Sequence, residues 1–146
     1  MGAGGPISED CLYVNVVTAA ETAGEKRPVM VFFHGGGLTS GTGNSTTFNH
    51  PMLSTKGVVT VTVNSRLGPI GYLAHPELSD ETDYNSGNYG TLDLKASLEW
   101  VRDNIEAFGG DLDNVTIFGE SGGGTKTISQ KATPMARDLF DAAIVE

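Results

Sequence analysis

Gly119, Ser121 and Gly123 form a G-x-S-x-G pattern inside "IFGESGGGTK" (117–126). A serine in this pattern can act as a nucleophile when the motif joins a strand to a helix: the sharp turn lifts its hydroxyl above the sheet, and the glycines keep side chains off neighbouring strands. The helix that follows would aim free N–H groups and its positive dipole end at an anion forming beside the hydroxyl. A second glycine run, "HGGGL" (34–38), follows another apolar segment, where consecutive glycines let backbone N–H groups approach a substrate oxygen. Taken alone, the plainer readings are a tight turn with a solvated serine for the first run and a glycine-rich turn packed under a loop for the second. Two such runs, each after a strand, reinforce one another and point to acyl transfer.

Other uses of the same residues fit less well. "GESGGGTK" approaches the phosphate-binding pattern G-x-x-x-x-G-K-[ST], but Thr125 precedes Lys126 and Glu120 would put negative charge in the cradle. No G-x-G-x-x-G dinucleotide fingerprint occurs. Nine Lys and Arg against eighteen Asp and Glu give a net charge of −9, which repels nucleic acid. The single cysteine, Cys11, has no partner for an internal disulfide. The chain lacks both the run of about eighteen apolar residues that a membrane span needs and, at its start, the basic and apolar stretches of a signal peptide. The expectation is a soluble chain without a membrane span.

The elements that must position Ser121 follow from periodicity. Of the 146 residues, 38% are apolar and twenty are glycine, which suits one compact domain with many tight turns. β-branched and aromatic runs at 11–19, 28–35, 57–65 and 114–120 predict four strands. In 91–110, Leu94, Leu98, Val101, Ile105 and Phe108 recur at helical spacing until Gly109 and Gly110 stop the pattern. The polar stretch 75–90 reads as a long surface loop. Thr133 and Pro134 suit the start of a short helix through Leu139 and Phe140, and "AAIVE" (142–146) reads as the opening of a further buried strand. Strands without clear alternation, interleaved with helices, predict an α/β fold on a mostly parallel sheet covered on both faces.

Longer stretches carry a resemblance. "EDCLYVNV" (9–16), "VNSRLGPIGYL" (63–73), "GNYGTLD" (87–93) and "FGGDLDNVTIFGESGG" (108–123) resemble, in order, segments of the type-B carboxylesterases, a family of α/β-hydrolases that includes the cholinesterases. Esterases similar to hormone-sensitive lipase share the "HGGG" run but not the "EDCL" and "FGGD" segments. The resemblance implies a partial α/β-hydrolase fold with a nucleophile elbow. It implies Ser121 as nucleophile and the N–H groups of Gly36, Gly37 and Gly122 as the oxyanion hole, with Gly122 standing where the family usually has Ala. It also implies a structural ion pair between Arg66 and Asp93, next to Ser65 where Tyr is common. No metal or organic cofactor is implied, and the partner is a small-molecule carboxylic ester.

The family's remaining catalytic residues, a Glu and a His, lie well beyond the elbow, and only 25 residues follow Ser121. The expectation is therefore that residues 1–146 are the N-terminal part of the hydrolase domain, cut at both ends, holding the nucleophile and oxyanion half of the site. The family positions that pair with Cys11 and Glu9 would lie before Met1. His34 reads as a structural residue of the glycine loop, and His50 and His75, each followed by Pro, as loop residues. Two other readings remain: a non-catalytic interaction protein of the kind the neuroligins resemble, and an inactive gene fragment.

Overall fold

A computed structural model describes residues 7–80 and 86–146. Five strands form one sheet in the order β1-β3-β2-β4-β5: Val14–Val17 (β1), Arg27–Phe33 (β2), Val59–Val63 (β3), Gly110–Gly119 (β4) and Ala142–Val145 (β5). Parallel pairing joins β3 to β2, β2 to β4 and β4 to β5, whereas β1 lies antiparallel on β3 with Val14 opposite Val63. The sheet is mostly parallel, as the strand and helix pattern predicts. Direction is not encoded in composition, so the reversed edge strand was not legible in it.

The central strands carry the apolar core, β3 being β-branched throughout and β2 mixing Val with Phe and Met. Val29, Val31 and Phe33 of β2, Val59, Val61 and Val63 of β3, and Ile117 of β4 are fully buried. The main cover comes from helix α3, Tyr89–Asn104, which follows the short helices α1, Gly68–Tyr72, and α2, Pro76–Asp80. Leu94, Leu98 and Val101 of α3, with Ile105 just beyond it, pack into the same cluster. The helical periodicity runs on as a 3-10 turn, Ile105–Phe108, until Gly109 takes φ 78° and ends it. Phe108 leaves the core and packs its ring 5.9 Å from that of Trp100.

Three readings need correction. The 75–90 stretch is not all loop: α2 lies within it and α3 begins at Tyr89, while 81–85 fall outside the described residues. The segment after Thr133 is helical only over Pro134–Ala136, because the chain turns at Asp138, which takes φ 65°. β5 pairs as a strand but is not buried, since Ile144 and Val145 are each 45% exposed. It lies at the edge of the sheet that the described residues form, and burial depends on what packs against a strand as well as on the strand's own residues.

Candidate active site

β4 runs straight into helix α4, Gly122–Ala132, through Glu120 and Ser121. Ser121 takes φ 57° and ψ −120°, a backbone region that L-residues seldom occupy. Several bonds hold it there. Its N–H donates to the Glu146 carbonyl (2.9 Å), its carbonyl accepts from Thr125 N–H (3.1 Å), and Gly123 N–H donates to the Glu120 carbonyl (2.8 Å). The flanking glycines are a steric necessity. A Cβ on Gly119 would lie 2.5 Å from the Gly123 carbonyl carbon, and one on Gly123 would run into the Phe33 carbonyl oxygen. The Ser121 side chain is exposed, and its hydroxyl has no hydrogen-bond partner among the described residues.

The glycine loop after β2 meets this turn. A Cβ on Gly35 would sit 3.1 Å from the Glu120 carbonyl oxygen and 3.7 Å from the Ser121 Cβ. Gly36 and Gly37 have φ 90° and 63°, and the Gly37 backbone lies so close over Gly122 that a Cβ there would be 2.5 Å from the Gly37 Cα. The N–H groups of Gly36, Gly37 and Gly122 donate no hydrogen bond to protein groups among the described residues. The two glycine runs, 85 positions apart between Gly37 and Gly122, thus meet beside Ser121 with their amides unspent.

Beneath the loop, His34 is 3% exposed and its Nδ1 lies 2.8 Å from the Gly35 carbonyl. Burial, followed by the nearby Lys126 charge, pushes its pKa down to about 4, so the ring is neutral at pH 7. Lys126, on α4, is 2% exposed and donates to the His34 carbonyl at 2.8 Å. The sequence pattern presents Lys126 only as a misplaced phosphate ligand. The available signal was its spacing: Gly122, Lys126 and Gln130 recur every four residues and form one buried, polar helix face.

Arg66 follows β3 and Asp93 lies in the first turns of α3. The Arg66 Nε and Nη2 donate to the Asp93 carboxylate at 2.9 and 2.7 Å, the Arg66 backbone N–H adds a bond of 2.9 Å, and the guanidinium stacks 5.4 Å from the Tyr89 ring centroid. Hydrogen bonding to Asp93 raises the Arg66 pKa. This pair ties the end of β3 to the start of α3. Ser65 beside it is buried with its hydroxyl unpartnered among the described residues. His50 and His75 are exposed, and among the described residues neither they nor any carboxylate bonds the Ser121 hydroxyl. Cys11 is half-buried, and burial raises its thiol pKa. Among the described residues no helix is long and apolar enough to cross a membrane, and no group of three or more His, Cys, Asp or Glu side chains is placed to hold a metal ion.

A model of the carboxylesterase family matches residues 2–146. The chain belongs to the carboxylesterase family. It is 49% identical over 140 residues to the para-nitrobenzyl esterase of Bacillus subtilis (strain 168), covering 95% of this chain and 28% of that protein. It is 43% identical to the fumonisin B1 esterase of Sphingopyxis macrogoltabida, covering 95% of this chain and 26% of the relative. Among solved structures, an esterase from anaerobic Clostridium hathewayi, described as able to hydrolyse aliphatic aromatic polyesters, superposes with a TM-score of 0.90 at 44% identity, over 99% of this chain and 29% of that one. The fold is that of the α/β-hydrolase esterases. The chain spans only about a quarter of the length of the carboxylesterases it matches.

Proposed function

We propose that residues 1–146 form the N-terminal part of a serine carboxylic ester hydrolase and carry its nucleophile and oxyanion hole. The observation that carries this reading is the strained backbone of Ser121 at the β4–α4 junction, with the Gly36, Gly37 and Gly122 amides free beside it. A non-glycine residue held at positive φ by a ladder of hydrogen bonds is a conformation the surrounding structure must enforce, and it leaves the hydroxyl exposed.

In this mechanism a general base takes the Ser121 hydroxyl proton as Oγ bonds to the ester carbonyl carbon, and the carbonyl electron pair moves onto oxygen. The three amides receive that oxyanion. Their geometry is set in advance, so no reorganisation is needed as the charge forms. Collapse expels the alcohol, which takes a proton from the protonated base, and leaves an acyl group on Ser121 that water then removes by the same route. His34 is unsuited to be the base: its ring is buried, engaged with Gly35 and held neutral until about pH 4. The base and the acid that orients it therefore come from outside these residues. Arg66 and Asp93 serve as the structural ion pair that anchors the scaffold, and the substrate is a small-molecule carboxylic ester. No cofactor enters this chemistry.

The test is hydrolysis of a short-chain p-nitrophenyl ester by the complete protein beside its Ser121→Ala variant. The reading expects the variant's turnover to fall by about a millionfold. Unchanged turnover in a folded variant would refute it.

A further inference from the structure

One buried cation beneath the candidate oxyanion hole takes no part in the chemistry above. Lys126 is among the largest fully buried side chains, and no carboxylate pairs with it among the described residues. An ammonium without a counter-charge is costly to bury, and its pKa is pushed down only to about 8, so it remains mostly charged at pH 7. Its Nζ donates to one backbone oxygen, the His34 carbonyl, at 2.8 Å, and lies near the His34 Nδ1, 3.4 Å away, without bonding it.

The neighbouring bond completes a pattern. The neutral His34 ring, with its proton on Nδ1, donates to the Gly35 carbonyl at 2.8 Å. Two successive carbonyls, of residues 34 and 35, are therefore held by buried donors immediately before the two free amides of Gly36 and Gly37. Those glycines sit at positive φ, where their own stereochemistry does little to fix them, and beyond the two held carbonyls only the Gly36 carbonyl is tied, to the Ser40 N–H and Oγ at 3.2 Å, among the described residues. Lys126 also lies one turn into the helix whose first amide, Gly122, is the third donor. A single side chain thus links the two halves of the hole.

We propose that Lys126 is a positioning residue, whose charged bond to the His34 carbonyl fixes the Gly36–Gly37 amides against the Gly122 amide and Ser121. It acts through the loop and touches neither substrate nor reacting atoms. This inference rests on the ester-hydrolase reading.

The experiment compares the complete protein with its Lys126→Met, Lys126→Gln and Ser121→Ala variants. It measures kcat and KM on a short-chain p-nitrophenyl ester, affinity for a trifluoromethyl ketone that forms a tetrahedral adduct, and amide hydrogen exchange of residues 35–38. Lys126→Met is expected to keep KM, lose about ten- to hundredfold in kcat, and bind the ketone more weakly by the same factor, because displaced donors fail only the developing oxyanion. Exchange at 35–38 should quicken. A merely structural role would lower stability without selectively weakening the ketone. A folded Lys126→Met with unchanged kcat, ketone affinity and exchange overturns the proposal. Should that variant not fold, Lys126→Gln, which keeps a neutral donor, decides on the same readouts: faster exchange with weaker ketone binding supports the clamp, and unchanged values overturn it. If Ser121→Ala retains activity, the ester-hydrolase reading fails and takes the proposal with it. If Ser121→Ala is inactive while Lys126→Met is unimpaired, only the clamp fails.

Discussion

Two strands end at the same edge of the sheet and treat their polar groups in opposite ways. At the end of β3, the Arg66 guanidinium and backbone N–H converge on one carboxylate that is 8% exposed, so the donors are spent on holding α3 in place. At the end of β4, Ser121 is held at φ 57° with its hydroxyl unpaired, beside three glycine amides that donate to nothing in the described chain. A charged pair closed on itself stabilises; strained backbone with idle donors does not, and awaits a ligand. On the proposed reading the contrast separates scaffold from site without appeal to which residues are charged, the charged pair being assigned to the scaffold.

The comparison can be broken by substitutions whose effects should differ in sign. The largest change is expected from Gly123→Ala, because the new Cβ would collide with the Phe33 backbone rather than with a movable side chain. A loss of about 3 kcal/mol in urea unfolding is expected, with the elbow displaced. Asp93→Ala should cost about 2 kcal/mol, discounted because the Arg66 side chain is 36% exposed and can rehydrate. A neutral result would show that the pair is not structural.

Acid should weaken the fold through His34. Its pKa falls from 6.5 to about 4 on folding, so below pH 6.5 the unfolded chain binds a proton that the folded chain refuses. Stability contributed by the neutral ring is complete above 6.5 and is lost as pH falls towards 4, by about 1–2 kcal/mol after allowing for solvent relaxation. Lys126 works in the same direction in another window: stability rises as pH climbs from about 8 to 10.5, where only the unfolded chain stays protonated. NMR titration of the His34 ring checks the first claim, and a midpoint near 6.5 would contradict it. The smallest expected effect has the opposite sign. Ser121→Gly should raise stability by about 1 kcal/mol, since glycine accepts the backbone conformation that serine resists. A loss instead would mean that the turn is not strained.

Much of this arrangement was legible in the chain, for reasons that also explain the rest. The elbow's place between strand and helix follows from β-branched residues giving way to glycines, and α3 from Leu94, Leu98 and Val101 at helical spacing. The meeting of the two glycine runs was not derivable from periodicity, which carries no long-range pairing, and came from the family resemblance. The exposure of β5 among the described residues is not legible in its composition, because apolar residues signal the capacity for burial, not its fulfilment. Lys126 was missed because lysine is read as solvated, whereas the tight glycine packing above α4 leaves its buried face polar.

Whether Ser121 is a nucleophile held ready for an acyl group is decided by treating the complete protein with a fluorophosphonate and locating the adduct by mass spectrometry of its peptides. Stoichiometric modification of Ser121, and none in Ser121→Ala, is expected. A folded protein that hydrolyses esters yet carries the adduct elsewhere, or none at all, would contradict it.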